Sequence, residues 1–380
     1  MQQATSLTPT SRLGSIARAR QLVLQDAATL HGHLIEPWIE RSWQRCLSQG
    51  QRPGQHVAFE AVSTQVMRRT AEANRGLAQA ARPVLDKLSR ALADTRYFAI
   101  LTNNDGVVVD VDGPIDRSDR RAALITRIGV DLSEKSVGTT AIGAALSEQH
   151  PVWLHRGEHF FNDTSVYSCA GAPLFGPDGR CAGMLDLTGV EVNERPELLH
   201  LVIQSARHIE NTLTLQQPHA LLLRLNWPGR ALGEEGDGLL GLDADGFVTA
   251  ANPTARQLMP QLAASASQAI HSRDLFAMPF EMLFDAARHG TQGLEVPLWS
   301  GLRLNVQART RQRGLPAAVA SPRPVSDPAE SASSGLPLRD IEAALIQKAV
   351  KEARGNVAQA ARALGISRAT VYRKLGRKSG

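Results

Sequence analysis

Residues 97–111, YFAILTNNDGVVVDV, decide the fold class of the first half of the chain. Two apolar runs, 97–101 and 107–111, flank the polar segment Asn103-Asn104-Asp105-Gly106. Turn residues between two runs of β-branched and aromatic side chains are typical of a β-hairpin, and Gly106 suits the positive φ of such a turn. We therefore predict two paired strands here.

More strands are predicted on the carboxyl side of this hairpin. Residues 151–154 form one apolar run, and 167–175 and 181–188 form two more around the turn 176–179. A helix is predicted from Leu198 to about Leu215. Paired strands that are flanked by helices at both ends indicate an α+β domain, which we place at residues 96–217.

The segment before the hairpin has a helical pattern. Apolar residues recur at helical spacing from Ile16 and again over 35–47. A longer helical stretch, Phe59 to Leu92, is expected to break or kink at Pro83, because proline lacks the N–H that a helix interior needs. Residues 1–95 are thus predicted to be an N-terminal helical region.

A second unit of strands and helices is predicted at 218–309. Gly238–Leu242 and Phe247–Ala251 repeat the hairpin pattern around a turn that contains Gly246. Asn252 followed by Pro253 predicts the start of a helix, because proline is favoured at the first helical position after a capping side chain. The other predicted elements are a helix near 280–288 and strands near 294–298 and 302–308.

Residues 310–337 are rich in Pro, Ser and Ala. Such a segment cannot bury enough apolar surface to offset the entropy lost on ordering. We predict a flexible linker here, which separates the preceding units from the carboxyl-terminal tail.

The tail, residues 338–380, has the pattern of a helix-turn-helix. Apolar residues keep a helical period over 341–350 and 357–364, Gly365 ends the second run, and Ser367 can cap a third helix that has basic and hydroxyl side chains. From Leu336 onwards the chain has ten Lys or Arg and three Asp or Glu, although its overall net charge is only +5. Positive charge concentrated in this way suits contact with DNA phosphates.

Composition excludes several classes of protein. With 380 residues, 43% of them hydrophobic, the chain can form two or three packed domains. No apolar run is long enough to span a bilayer, and Met1–Ala19 lacks the apolar core of a signal peptide. Cys46, Cys169 and Cys181 are too few and scattered for a disulfide framework or a four-ligand zinc site. We expect a cytoplasmic protein without a membrane anchor.

The tail sequence GNVAQAARALGISRATVYRKL resembles the Fis-type DNA-binding domain. The resemblance implies a dimer. The second helix of the helix-turn-helix, which Ser367 caps, is expected to enter the major groove of double-stranded DNA. Arg368 and Thr370 are expected to contact base edges, and Tyr372, Arg373 and Lys374 bases or phosphates. The full set of predicted DNA-binding residues is Asn356, Gln359, Ser367, Arg368, Thr370, Tyr372, Arg373 and Lys374.

Four further motifs resemble the GAF domain of acetoin-regulator-type, sigma-54-dependent bacterial activators: IERSWQRCLSQG, SVGTTAIGAAL, LHRGEHF and CAGAPLFGPDGRCAGMLDLTG. They occur in the family's order between Ile35 and Leu215. The resemblance implies a pocket for a small-molecule effector on one face of the sheet. The residues expected to line it are Thr139, Thr140, His155, His159, Ser168 and Cys169.

Several of these side chains have simpler interpretations. His155 and His159 could share a metal if they lay on a helix, but Gly157 and the loop context favour hydrogen bonds to the backbone or to an anion. Cys169 could be a redox or iron-ligating thiol, although a Cys among small residues in a strand is more often part of the core. Asp186 lies in an apolar strand and requires a partner if buried, which we expect to be structural. We predict no metal and no cofactor.

The stretch GLLGLDADGFVTAANPTARQLM, within 218–309, resembles a PAS domain. An AAA+ ATPase normally separates sensor and DNA-binding tail in regulators of the resembled type. Its phosphate loop ends in Gly-Lys-Ser/Thr, and this chain contains no Gly-Lys dipeptide. No other catalytic motif is apparent, so we predict that the protein is not an enzyme.

These observations predict a ligand-responsive, sequence-specific DNA-binding transcriptional regulator that acts without its own ATPase. RNA polymerase is a further candidate partner. Two alternatives remain: a modulator that hetero-oligomerises with a full-length sigma-54 activator, and an architectural DNA-binding protein similar to Fis.

Overall fold

A computed structural model describes residues 9–25, 34–59, 61–264, 269–290 and 293–310. The chain divides into two compact units, residues 1–313 and 314–380, and all of the described residues belong to the first unit. The predicted helix-turn-helix and the predicted linker beyond Thr310 lie outside the described residues.

The described part of the chain contains α-helices and β-strands in the proportions of a mixed fold. The helices are α1 (Pro9–Arg20), α2 (Pro37–Ser48), α3 (Thr64–Ala73), α4 (Arg75–Ala91), α5 (Arg120–Ile125), α6 (Glu134–Val137), α7 (Ala141–Glu148), α8 (Leu198–Gln216), α9 (Pro253–Leu258), α10 (Gln261–Ala264) and α11 (Glu281–Arg288). The strands are β1 (Tyr97–Asn103), β2 (Val108–Asp112), β3 (Val152–His155), β4 (Tyr167–Phe175), β5 (Cys181–Val190), β6 (Leu221–Asn226), β7 (Gly238–Leu242), β8 (Val248–Ala251), β9 (Leu294–Pro297) and β10 (Arg303–Thr310). The predicted α+β fold class is confirmed.

The first sheet has five antiparallel strands in the order β2-β1-β5-β4-β3. Side chains alternate between its two faces, and both faces are buried. On one face Phe98 and Ile100 of β1 pack with helices α1, α2 and α5–α7, and on the other face Tyr97, Ala99 and Leu101 pack with α4 and α8. The central strand β5 therefore contributes to two separate cores.

The second sheet repeats the arrangement of the first with one change of connection. Its order is β8-β7-β6-β10-β9, again antiparallel throughout. In both sheets two hairpins flank a central strand, but this strand comes last in the first sheet (β5) and first in the second (β6). The two sheets are thus related by a circular permutation of strand order. The sequence prediction missed β6, whose alternating burial in LLLRLN is the pattern of a strand with one buried face.

Helix α2 is fixed to the first sheet's helices by a buried polar network. Arg45 donates through Nε to Glu134 at 2.7 Å and through Nη1 to Glu148 at 2.8 Å. The Ser42 hydroxyl donates to the second Glu134 oxygen at 2.6 Å. Together with the apolar contacts of α1 and α4, this network makes the N-terminal helices part of the same packed unit as the sheet.

An interruption or a kink is predicted at Pro83. The interruption is wrong, because Pro83 lies inside α4, and the kink stays a prediction. The break between α3 and α4 falls at Asn74 instead. The Asn74 side chain donates from Nδ2 to the carbonyl of Thr70 at 2.8 Å. Asn commonly competes with the helical backbone in this way, which favours the end of a helix at this position.

We expect Arg45→Ala to lower the free energy of unfolding by about 2–3 kcal/mol, because it leaves the Glu134 carboxylate buried without its cation. Arg41→Ala is a matched control, since Arg41 also pairs with Glu148 but is mostly exposed, and should cost less than about 1 kcal/mol. Urea denaturation of both variants tests the difference. Equal losses would show that the network around Glu134 is not what holds α2.

Candidate ligand-binding cavity

A cavity lies between the first sheet and the helices that cover its α1-side face. Its empty volume is about 360 Å³, of which about 30 Å³ can be occupied by the centre of a water molecule. The apolar part of the wall consists of Phe59, Ile100, Ile125, Leu132, Val137, Ala141 and Ile142. The polar part consists of Thr140, His159, Thr164, Tyr167, Cys169, Asp186 and Thr188. A mainly apolar wall with a few convergent polar groups is typical of a small-molecule site.

Asp186 is the most unusual group in this cavity. Its side chain is only 1% exposed, and burial raises the pKa of its carboxyl to about 7. One carboxyl oxygen, Oδ2, accepts a short hydrogen bond from the Thr188 hydroxyl. The other oxygen, Oδ1, is buried and has no hydrogen-bond partner. A buried acceptor in this state costs free energy until a donor reaches it.

The Thr188 hydroxyl connects Asp186 to the rest of the polar wall. Its oxygen also lies 3.3 Å from the Cys169 sulfur, and that sulfur lies 3.5 Å from Nε2 of His159. A hydroxyl has a single proton and can donate to only one acceptor at a time. When Asp186 is ionised, Thr188 donates to it; when Asp186 is protonated, the carboxyl can donate and Thr188 can turn towards Cys169. Whether the Thr188 hydroxyl donates to Asp186 or to Cys169 therefore depends on the charge of Asp186.

The imidazole of His159 is held in one tautomer. The carbonyl of Arg156 accepts from both the main-chain N–H and ring Nδ1 of His159, at 3.1 Å and 2.9 Å. Nδ1 must therefore hold the proton, which leaves the Nε2 lone pair facing Cys169 and the cavity. Burial lowers the pKa of His159 to about 4, so the ring is neutral at pH 7. Arg156 itself has a φ of +52°, a strained value for a non-glycine residue, and this conformation aims its carbonyl at His159.

Three of the residues predicted to line the sensor pocket lie in the cavity wall, namely Thr140, His159 and Cys169. The hydroxyl of Thr140 also caps α7 by accepting from the Gly143 N–H at 3.1 Å. The other three predicted residues, Thr139, His155 and Ser168, lie outside the cavity wall. A ligand-binding role for any of the six stays a prediction.

Strand alternation separates Ser168 from its neighbour Cys169. Because successive side chains of a strand face opposite sides of the sheet, Ser168 points to the α4–α8 face. There its hydroxyl lies 2.8 Å from Nδ1 of His155. Thr139 is also outside the wall, where its hydroxyl lies 2.7 Å from that of Ser42. His155 and His159 are thus not arranged as a pair, and the described residues include no cluster of three or more His, Cys, Asp or Glu suited to a metal ion.

Asp186 and Thr188 were not predicted to line the pocket. The sequence analysis expected a structural partner for Asp186, and Thr188 is that partner for only one of the two carboxyl oxygens. The signal was present in the spacing, because two polar residues two positions apart in an apolar strand lie on the same face.

Of the predicted DNA-binding residues, all eight lie outside the described ranges. Within those ranges, no helix is both long and apolar enough to cross a membrane.

Two family models match this chain, one over its amino-terminal half and one near its carboxyl end. Residues 11–211 match the family model described as MimR, N-terminal domain, and residues 337–377 match Bacterial regulatory protein, Fis family. The acetoin catabolism regulatory protein of Cupriavidus necator is 30% identical over 257 residues, which are 65% of this chain and 37% of the relative. The propane 2-monooxygenase operon transcriptional activator MimR of Mycolicibacterium goodii is 30% identical over 202 residues, 52% of this chain and 33% of the relative.

Among solved structures, the Escherichia coli DhaR(N)–DhaL complex has a TM-score of 0.43 and 16% identity, covering 73% of this chain and all of that one. The chain spans less than two fifths of the length of the curated relatives named above.

The α+β unit with its cavity and the Fis-type segment define a bacterial regulatory protein, and the resemblances to acetoin-type regulators and to the Fis-type domain are confirmed. The family model covers more than half of the chain. The chain belongs to the family described as MimR, N-terminal domain.

The charge of Asp186 should make stability depend on pH. Its pKa is raised from 3.8 to about 7 on folding, so the folded state binds the proton more tightly and loses stability as pH rises through this window. Asp186→Asn cannot ionise. Between pH 5 and 7 the free energy of unfolding of Asp186→Asn should therefore rise relative to that of the wild type, by up to about 1.4 kcal/mol for each pH unit.

Denaturant midpoints of both proteins at pH 5, 6, 7 and 8 test this expectation. The other buried acids, Glu158 and Glu210, titrate in both proteins and cancel in the difference. Parallel curves for the two proteins would mean that Asp186 has an ordinary pKa.

Proposed function

We propose that the protein is a ligand-responsive, sequence-specific DNA-binding transcriptional regulator that is located in the cytoplasm and is not an enzyme. One observation carries the proposal. A cavity with an unpartnered buried acceptor, Oδ1 of Asp186, belongs to the same chain as a segment that matches Fis-family regulatory proteins. The cavity supports ligand binding, and the matched segment supports DNA binding.

The chemistry of the wall favours a small, uncharged ligand that has a hydroxyl group. Oδ1 of Asp186 lacks a donor, and Nε2 of His159 faces the weak S–H donor of Cys169, so a ligand that donates a hydrogen bond is favoured. No Lys or Arg is among the described residues that line the cavity, which disfavours carboxylates and phosphates. The space open to water centres is that of about two water molecules, so a larger ligand has to move wall side chains such as Phe59.

The acetoin catabolism regulatory protein of Cupriavidus necator supports this ligand class, because acetoin is a four-carbon compound with a hydroxyl beside a carbonyl. The hydroxyl would donate to Oδ1 of Asp186. The remaining carbons would contact the apolar wall, for example Ile100 and Leu132.

Ligand binding must change the equilibrium between two states of the protein, since a ligand with equal affinity for both shifts nothing. A hydroxyl that donates to Oδ1 favours the ionised form of Asp186. Thr188 then donates to Asp186 rather than to Cys169. We propose that these two arrangements of the Asp186–Thr188–Cys169–His159 chain are the free and ligand-bound states of the sensor.

At the other end of the chain, the basic tail would form the DNA contact as a homodimer. Two Fis-type segments would occupy half-sites about one helical turn apart, in an inverted repeat. Arg368 and Thr370 would contact base edges, and Tyr372, Arg373 and Lys374 would add base or phosphate contacts.

We propose that the protein acts without its own ATPase, by occupying DNA, by recruiting RNA polymerase or by pairing with a relative. The absence of a Gly-Lys dipeptide supports this proposal. So does the short distance along the chain from Thr310, the end of β10, to residue 337, where the Fis-family match begins. Pairing with a longer relative is supported by the 30% identity of this chain over 257 residues to a relative of which they are 37%, and co-purification with such a relative would test it.

Ligand binding is tested by thermal shift of the full chain with acetoin, 2,3-butanediol and, as a charged comparison, lactate. We expect the first two to raise the melting temperature and lactate not to. Asp186→Asn should weaken the response at least about tenfold in ligand concentration, the value of one lost hydrogen bond to a charged group. The control Asp86→Asn makes the same change on the exposed surface of α4 and should respond like the wild type.

Equal responses of the Asp186 and Asp86 variants would contradict binding at Asp186. No response of the wild type to any of the hydroxyl compounds would contradict the ligand class.

DNA binding is tested with Arg368→Ala and Lys374→Ala on specific and random duplexes. Loss of a base contact should cost about 1–3 kcal/mol on the specific site only, so Arg368→Ala relaxes sequence preference. Lys374→Ala should weaken binding to all duplexes and reduce its salt dependence. If both variants lost affinity equally on specific and random DNA, these roles would be wrong.

A further inference from the structure

The last residue of α1, Arg20, contacts the loop that brings His159 to the cavity. Its guanidinium donates through Nη1 to the carbonyls of Gly157 at 2.9 Å and His159 at 2.5 Å. Through Nη2 it donates to the carbonyl of Phe160 at 3.1 Å and to Oδ1 of Asn162 at 2.8 Å. One planar group thus holds four acceptors spread over six residues of loop.

Arg20 is partly buried, and all four of its acceptors are neutral oxygens rather than carboxylates. Burial lowers the pKa of Arg20, which shows that the site is costly for its charge. The guanidinium carbon also lies 5.8 Å from the ring centre of Trp43, and Nε1 of Trp43 donates to the carbonyl of Glu158 at 2.9 Å. Every carbonyl from Gly157 to Phe160 therefore accepts from α1 or α2.

The constraint on these carbonyls determines the direction of the His159 ring. With its own carbonyl held by Arg20, His159 keeps the main-chain position from which Nδ1 reaches the carbonyl of Arg156. Nε2 is then left as the acceptor on the cavity side, next to Cys169. The Tyr167 ring lies 6.3 Å from this ring, and the charges of His155 and Arg20 also lower the pKa of His159.

We propose that Arg20 is a positioning residue of the ligand site, which fixes His159 as a hydrogen-bond acceptor for the ligand although Arg20 itself does not line the cavity. This inference rests on the proposed function of the cavity as a ligand site. It makes the end of α1 part of the sensor, because any movement of α1 would change the acceptor that the ligand meets.

A neighbouring arginine provides a matched control. Arg12 also lies on α1 and also contacts the loop, but it does so through the Glu158 side chain at 3.0 Å rather than through the backbone. Arg12 also pairs with Glu194 at 2.5 Å. Arg12→Gln therefore removes two ion pairs of the same helix, one of them to the same loop, without releasing the carbonyls next to His159. Arg20→Gln releases those carbonyls, and Arg20→Lys keeps the charge but cannot span them with one ammonium group.

The first measurement is NMR of the His159 ring nitrogens in the full chain without ligand. In the wild type and in Arg12→Gln we expect the neutral Nδ1–H tautomer to persist to below pH 5. In Arg20→Gln and Arg20→Lys the ring should titrate closer to its ordinary pKa of 6.5 or show a mixture of tautomers. A purely structural role would lower the melting temperature of the Arg20 variants and leave the His159 signals unchanged, which would overturn the proposal.

The second measurement is the affinity for acetoin, with 2,3-butanediol as the alternative probe. Arg20→Lys should weaken it at least tenfold, and Arg12→Gln less than threefold. Unchanged affinity together with altered His159 signals would overturn the role in binding. If the wild type bound neither compound, the ligand class would fail, whereas the His159 signals would still decide whether Arg20 positions the ring. Should Arg20→Gln not fold, Arg20→Lys supplies both measurements.

Discussion

The Asp186 carboxyl lies in the middle of the central strand of a sheet that is buried on both faces. Removing such a group from water costs several kcal/mol unless its oxygens find donors. Thr188 supplies a donor to one oxygen, and the other has none. A fold retains a cost of this kind where a site needs it, because the same free energy is recovered when a ligand supplies the missing hydrogen bond.

The elements around Asp186 hold its carboxyl in position and bury it away from solvent. Strand alternation puts Cys169 and Thr188 on the same face as Asp186, and the helices on that face close the cavity. The N-terminal helices do more than cover it, since Arg45 and Arg20 connect α2 and α1 to the elements that form the wall. The cavity wall, the sheet and the N-terminal helices are therefore parts of one packed unit, and few contacts separate Asp186 from the helices.

Local sequence patterns predicted most of this architecture and only part of the site. The hairpins at β1–β2 and β7–β8 and the helix capped by Asn252 follow from turn chemistry and apolar periodicity, which are short-range. The missing β6 is central in its sheet, but a long connection separates it from its antiparallel partner β7, so no short hairpin turn marks its end. Ser168 was expected in the same wall as Cys169, although neighbouring residues of a strand face opposite sides of the sheet. Asp186 was not predicted to line the pocket, because only the assembled sheet shows that Oδ1 lacks a hydrogen-bond partner.

The most direct test is the titration of the Asp186 carboxyl, followed by carbon-13 NMR of the full chain with and without acetoin. Without ligand, the carboxyl should titrate near the pKa of about 7 that burial imposes. A hydroxyl that donates to Oδ1 stabilises the ionised form, so acetoin should lower this pKa, and Asp186→Asn identifies the signal by removing it. A carboxyl that titrates near its ordinary value of 3.8, or one whose titration does not respond to a compound that the wild type binds, would contradict the account.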